Sequence, residues 1–436
     1  MENVNSHSEI ISNLGGGKKL TARLNSLTSE SINEKTVYSW VRQGIPDRWK
    51  IAVARCLLED NLDISSYPNL LPPGIVAENL IAANNSVQIF SDSKVLKPNS
   101  EFLNDKVDNE TILAIYKEML KIRRFEEKVG QLYSMGLIGG FCHLYIGQEG
   151  VISGVESIAN ENDCFITGYR CHAHMVSRGE PLVNIFCELL GKKNGSSNAK
   201  GGSMHMFKSE NYFFGGHGIV GAQVPLGTGI AFANKYKKNK AVTFVFFGDG
   251  AVNQGQVYEA FNMAALWQLP IIYIIENNQY GMGTSVERAS AMTELFRRGE
   301  SLGIKGYEID GMDPLAVNYF LKDIHNKIVN DNLGPVLIEA KTYRYRGHSM
   351  SDPGKYRTRE EIQETRENRD PIERVRTLLI NKSILNEEEL KEIDKSIKNE
   401  VLKASEEARN MSLPEDASLF TNIFKEKGNE REIDNR

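Results

Sequence analysis

The residues best suited to chemistry follow two apolar runs. Gly248-Asp249-Gly250 comes after Ala241–Phe247 (AVTFVFF), and Glu276-Asn277-Asn278-Gln279-Tyr280-Gly281 comes after Pro270–Ile275 (PIIYII). A carboxylate at Asp249 and an amide oxygen at Asn278 are hard oxygen donors. Such donors hold Mg²⁺ when diphosphate oxygens fill its remaining positions. Asp249 also precedes Ala251-Val252-Asn253, read as a helix start, where free N–H groups favour an anion. Gly250 lets the backbone come close to a ligand. Alone, Gly-Asp-Gly marks only a strand-to-helix turn. Its specificity lies in the spacing, because the 26 residues 251–276 between it and Asn277-Asn278 hold one helix and one strand.

Both runs are continuous and β-rich, as expected of strands buried on two faces of a parallel sheet. Between them Gln254–Trp267 places Val257, Phe261, Ala264 and Ala265 at helical spacing, giving a right-handed βαβ unit. A third run, Pro335–Ala340 (PVLIEA), extends the sheet. Ligands bind such sheets beyond the carboxyl ends of the strands, where these polar residues lie. The expected fold is α/β, with a doubly wound, mostly parallel sheet, a small all-α N-terminal domain and a helical C-terminal region. The expected divisions are a small module at 1–60, a linker with a short helix at 61–105, and the α/β domain at 106–365. Charged helices at 366–424 and a tail at 425–436 complete the chain.

The 436 residues are 41% hydrophobic and carry a net charge of −5, which argues against a chain-wide electrostatic nucleic-acid binder. No apolar stretch is long enough for a membrane helix. The first twenty residues contain two acids and no Arg, so the expectation is a cytoplasmic protein without a secretory or mitochondrial leader. Five cysteines without a Cys-x-x-Cys pair read as reduced thiols. His172, His174, His205 and His217 lack the spacing of a zinc site.

Seven segments together carry a family resemblance. They are GGFCHLYIGQEG (139–150), ITGYRCHAH (166–174), KGGSMHM (200–206), GHGIVGAQVPLGTG (216–229), FGDGAVNQGQ (247–256), ENNQYGMGTSVERA (276–289) and YRYRGHSMSDP (343–353). Over roughly residues 110 to 410 the chain resembles the alpha subunits of thiamine-diphosphate-dependent 2-oxoacid dehydrogenases, the pyruvate-specific ones above all. The resemblance implies thiamine diphosphate and a Mg²⁺ held by Asp249, Asn278 and the carbonyl of Tyr280. It implies diphosphate contacts from Tyr169, Arg170, Gly250 and Ala251; a guanidinium suits phosphate oxygens bidentately. Gly218 and Val220 correspond to the loop around the aminopyrimidine, and Arg344 and His348 to a loop clamping the diphosphate. His143, with His348, corresponds to the histidines at the reacting end. Ser349 and Ser285 match positions where related enzymes are phosphorylated.

The same resemblance implies partners. A beta subunit brings the pyrimidine-binding half of the site and its activating Glu, in an assembly of two alpha and two beta chains. Pyruvate is the expected substrate, and a lipoyl-bearing dihydrolipoamide acyltransferase takes the acetyl group. Acetoin and branched-chain 2-oxoacids are the alternative substrates. Residues 8–60 lie outside the match and resemble a small helix-turn-helix module, with Thr36–Trp40 in its recognition helix and Gly44-Ile45-Pro46 ending it. Eight Lys/Arg stand against three Asp/Glu between Gly17 and Arg55. DNA binding, protein docking and a solvated basic face all stay open for this module. A cofactor-sensing DNA-binding regulator is the alternative of another class.

Overall fold

The computed structural model describes residues 4–27, 32–60, 62, 67, 70, 94–96 and 100–423. Most of the linker read at 61–105, and the whole tail at 425–436, lie outside the described residues. The chain forms two compact units, Met1–Asp92 and Ser93–Arg436.

The first unit contains the helices α1 (Val4–Asn13), α2 (Gly17–Leu27), α3 (Glu34–Gln43) and α4 (Asp47–Glu59). Their apolar faces meet around Leu14, Leu24, Val37, Trp40, Trp49 and Val53, and the rings of Trp40 and Trp49 lie 6.0 Å apart. Asn33 caps α3 by accepting from the Thr36 N–H. Gly44 ends it at φ 81, a conformation suited to glycine. Trp40 is therefore core, whereas Lys35, Thr36, Tyr38 and Arg42 are exposed on α3.

The second unit is built on a seven-stranded sheet. Its strands are β1 (Lys94–Val95), β2 (Cys164–Gly168), β3 (Phe213–His217), β4 (Thr243–Gly248) and β5 (Ile271–Asn277). A separate hairpin, β6 (Tyr280–Gly281) with β7 (Thr284–Ser285), precedes the last two, β8 (Lys305–Asp310) and β9 (Val336–Lys341). The strand order is β1-β8-β9-β5-β4-β2-β3, with every neighbouring pair parallel. Residues alternate between two cores as the strand period of two demands. Phe244, Phe246, Ile272 and Ile338 face one core; Val245, Phe247, Tyr273 and Leu337 face the other.

Helices cover both faces. On the first lie α5 (Asn109–Ser134), α6 (Glu149–Glu156) and α9 (Pro314–Asp331); on the second lie α7 (Gln223–Tyr236) and α8 (Gly255–Leu266). Asp108 caps α5, and Asp313 with Pro314 opens α9. The helices α10 (Arg359–Arg369), α11 (Pro371–Asn381) and α12 (Glu387–Asn410) close the chain. Of these, α12 packs along α5 and starts with a capping box, Asn386 and Glu389.

One expectation needs correction. The helix after Asp249 starts at Gly255, not at Ala251; a 3-10 turn, Ala251–Asn253, and an extended Gln254 come first. This short turn re-aims the chain before α8 begins.

Two features of the interior have measurable consequences. A Cβ on Gly154 of α6 would stand 2.6 Å from Val317 Cβ and 2.9 Å from the Pro314 carbonyl, so α6 and α9 meet backbone to backbone. Gly154→Ala should lower stability by about 1–3 kcal/mol through overpacking, seen as a lower denaturation midpoint. His174 is fully buried among the rings of Tyr145, Phe213 and Phe246 with neither ring nitrogen bonded among the described residues, and burial lowers its pKa from 6.5 to about 3. The unfolded chain therefore takes up a proton that the folded one refuses, and stability falls as pH drops from 6.5 toward 3. His174→Phe should flatten the fall in melting temperature between about pH 6.5 and 4; curves parallel to wild type would assign the acid sensitivity elsewhere.

Candidate active site

The carboxyl ends of five parallel strands open onto one cleft of about 240 Å³. Tyr169 and Arg170 follow β2, His217 ends β3, Asp249 to Ala251 follow β4, Asn278 and Tyr280 follow β5, and Arg344 and His348 lie beyond β9. All of these line the cleft together with Val220. Gly218 is not in its wall; a Cβ there would stand 2.8 Å from His205 Cε1. His143 comes from the segment between α5 and α6. Its ring lies 4.4 Å from that of Tyr169 and 5.1 Å from that of His348.

The Asp249 turn and the Tyr280 turn touch. A Cβ on Gly281 would lie 3.4 Å from Gly250 Cα and 3.8 Å from Asp249 Oδ2, in ordinary van der Waals contact, so the two turns stand side by side. Between Asn278 and Tyr280, Gln279 holds φ 75, a left-handed conformation costly for a side-chain-bearing residue. Its N–H is tied to Asn277 Oδ1 at 3.0 Å.

Arg344 is 1% exposed and spends its guanidinium on protein acceptors. Nη1 donates to Asn278 Oδ1 at 3.0 Å and to the Tyr280 carbonyl at 3.2 Å. Nη2 donates to the Met282 carbonyl at 3.2 Å and to the Tyr356 hydroxyl at 2.8 Å. One nitrogen thus reaches both oxygens, so the two lie close together with the guanidinium between them. One carboxylate, one amide oxygen and one carbonyl are hard donors of the kind a divalent cation takes, and such an ion would have to displace Arg344 Nη1 from the last two. Among the described residues no group of three or more His, Cys, Asp or Glu could hold a metal; the set just described has one carboxylate.

Burial sets the charges. The Asp249 carboxyl is pushed up to about 6 by burial, against backbone hydrogen bonds and the charge of Arg344. Glu276 rises to about 7 by burial, against its hydrogen bond from the Tyr145 hydroxyl and the charge of Arg170. Burial, then Arg170 and His348, drives His143 down to about 2. Burial, then Arg170 and Arg344, brings His348 to about 4. Both imidazoles are neutral near pH 7. Arg170, lowered by burial to about 10, stays charged and donates to the carbonyls of Leu144 and His348. Among the described residues Nδ1 of His143 and of His348, Gln148 Nε2 and Gln223 Oε1 have no hydrogen-bond partner. Polar atoms buried this way ordinarily have partners, so the cleft is built for a polar ligand.

Gln148, Gln223 and Glu276 were not singled out from the sequence. Each lies in a quoted segment, and Gln148 accepts from Asn278 Nδ2 at 2.8 Å. The signal was their place beside residues already chosen. Ser349 is buried, and Ser285 is half-buried opposite Tyr280 in the β6–β7 hairpin.

Comparison with known proteins agrees with this architecture. The family model described as "Dehydrogenase E1 component" matches residues 117–416. The pyruvate dehydrogenase E1 component subunit alpha of Rhizobium meliloti (strain 1021) is 52% identical over 348 residues, covering 79% of this chain and 100% of the relative. Its counterpart in Rickettsia bellii (strain RML369-C) is 53% identical over 315 residues, 72% of this chain and 96% of the relative. The Arabidopsis thaliana subunit alpha-2, mitochondrial, is 49% identical over 320 residues, 73% of this chain and 80% of the relative. The family match begins beyond the Met1–Asp92 unit. By its matched length and these identities, the chain belongs to the dehydrogenase E1 component family.

Proposed function

We propose that this chain is the alpha subunit of a pyruvate dehydrogenase, supplying the diphosphate half of a thiamine diphosphate site that a beta subunit completes. The supporting observation is that Tyr169, Arg170, Asp249, Asn278 and Arg344, taken from four separate strand ends, meet in one cleft. Asp249, Asn278 and the Tyr280 carbonyl would hold Mg²⁺. Tyr169, Arg170 and the backbone of Gly250 and Ala251 would hold the diphosphate, with Gly218 and Val220 toward the aminopyrimidine. The cofactor supplies an electron sink that allows a 2-oxoacid to lose carbon dioxide. His143, neutral and with Nδ1 free among the described residues, offers a hydrogen bond at the reacting end. Arg344 and His348 would clamp the diphosphate, and Arg344 would have to release Asn278 Oδ1 and the Tyr280 carbonyl, which it holds here, for the metal to bind. The acetyl group then passes to a lipoyl group on an acyltransferase.

An exposed apolar surface supports a partner chain. Ile219 is 73% exposed beside the cleft-lining Val220, with Leu226 and Met282 also exposed. Exposed apolar side chains beside the cleft are what a partner subunit that completes the site would cover. Five buried, unlinked cysteines fit a reducing compartment such as the cytoplasm. Among the described residues no helix is long and apolar enough to cross a membrane. Ser349 and Ser285 remain proposed regulatory positions. A phosphate on Ser349 would bring roughly −1.5 to −2 charges beside His348. Because Ser349 is buried, a kinase would first have to open the loop. For the first unit, the exposed Lys35, Thr36, Tyr38 and Arg42 of α3 suit a docking contact within the complex at least as well as DNA binding through residues 8–60.

The assembled enzyme tests the main reading. Asp249→Ala should abolish Mg²⁺-dependent thiamine diphosphate binding in a calorimetric titration, while Asn278→Ala, losing a neutral donor, should weaken it less. An Asp249→Ala complex that titrates like wild type would refute the metal assignment. His143→Ala should cut kcat by about a hundredfold or more while cofactor affinity stays near wild type; full turnover with weakened cofactor binding would move His143 to the diphosphate end.

A further inference from the structure

The segment carrying His143 has no regular secondary structure, yet it is held along its length. The Met350 N–H donates to the Cys142 carbonyl at 2.8 Å, and the Tyr345 N–H to the Ile146 carbonyl at 3.1 Å. Arg170 donates to the Leu144 carbonyl. The Tyr145 N–H goes inward, to Oε1 of Glu126 on α5 at 2.8 Å. From there the contacts continue. Glu126 Oε2 lies 2.9 Å from His172 Nδ1, and His172 Nε2 lies 2.8 Å from Ser203 Oγ. Glu126 and His172 are 0% exposed and Ser203 is 5% exposed.

The proton directions follow from chemistry. With Glu126 as a pure acceptor, Nδ1 of His172 carries the hydrogen, Nε2 accepts, and the Ser203 hydroxyl donates; a tautomer inversion would reverse all three. Every polar atom of the three side chains is then used. Serine, histidine and carboxylate in this order resemble a nucleophile relay. Ser203 and His172, however, do not line the cleft, and the serine proton is committed to the ring. Ser203 is itself anchored. It ends a loop whose N–H groups at Ser197, Ala199, Gly201 and Gly202 converge on the buried Glu188 carboxylate at 2.7–3.0 Å.

We infer that Ser203, His172 and Glu126 are positioning residues: a buried brace that transmits the fixed Glu188 loop to Tyr145 and thereby aims His143. Tyr145 is the junction, since its N–H is held by Glu126 and its hydroxyl reaches Glu276 in the cleft wall. The inference rests on the role given to His143 above. The brace itself is read out by a measurement independent of that role.

The experiment uses the enzyme assembled with its partner subunit and follows amide deuterium exchange over 142–146 beside steady-state kinetics. Glu126→Leu removes the acceptor for the Tyr145 N–H. Exchange at Tyr145 should accelerate, and kcat should fall about tenfold or more with KM for the 2-oxoacid and cofactor affinity little changed. Glu126→Gln keeps one acceptor oxygen for Tyr145. Its NH₂ can donate to Nδ1 of His172, inverting the tautomer so that Nε2–H donates to Ser203. That variant should recover most of the lost kcat and the slow exchange. Ser203→Ala, the gentler change if Glu126→Leu folds poorly, should accelerate the same exchange and lower kcat by about threefold. The double variant Glu126→Leu/Ser203→Ala should cost no more than Glu126→Leu alone, because both break one chain.

Additive losses, or a Glu126→Gln as impaired as Glu126→Leu, would overturn the brace. So would wild-type kcat alongside fast Tyr145 exchange. A fully active His143→Ala enzyme with these exchange changes intact would instead count against the assigned role of His143.

Discussion

The parallel register of β4, β5 and β9 is the constraint on which the site depends. Gly248 is paired with Glu276, and Glu276 with Ala340, so the three chains leave the sheet at the same level. Asp249, Asn278 and the Tyr343–Arg344 turn are thereby delivered side by side. A slip of one residue would turn every side chain of a strand to the opposite face and exchange the two cores. Phe246 and Ile274 on one face, and Phe247 and Ile275 on the other, fix the register from both sides. Burial of large apolar side chains, each worth about 1.5–3 kcal/mol, is thus what places the polar site.

Around the cleft, charge is handled by neutralisation as much as by pairing. Arg170 and Arg344 bring two positive charges into a buried space, and each donates to backbone carbonyls there. Under their field and under burial, His143 and His348 give up their protons. The same burial raises Asp249 and Glu276 on the other side of the cleft. The result is a wall of fixed cations, neutral imidazoles and carboxyl groups poised near neutrality, suited to an anion accompanied by a metal ion.

What was legible in the sequence was local or repetitive. AVTFVFF and PIIYII declare themselves as strands because a strand covered on both faces is apolar at every position, and both form with ends shifted by one or two residues. The helix start at Ala251 was misread because acid, glycine and small residues suit a 3-10 turn as well as an α-helix; the extended Gln254 makes the break. Arg344 was assigned to a cofactor loop on its motif, and no local signal reveals that it bonds Asn278, 66 positions away. Glu126, His172 and Ser203 left no pattern either, since they meet across 46 and 31 positions. Long-range polar closure is a property of the folded backbone, not of any window of sequence.

The buried guanidinium of Arg123 joins parts of the chain made far apart in time. It bridges Glu149, 26 positions on, and Asp370, which lies 247 positions further along the chain and 3.1 Å away in the fold. An arginine so deeply buried is costly while one of its carboxylates is missing. During synthesis Arg123 therefore gains its second carboxylate only when the start of α11 has been made. At about 5–20 residues per second the 247 positions between the two partners take about 12–50 seconds to synthesise. The Met1–Asp92 unit has a core of its own, built from residues between Ile10 and Leu70. The N-terminal unit can therefore form first, whereas the Arg123 bridge closes only once Asp370, in the last sixth of the 436 residues, has been made.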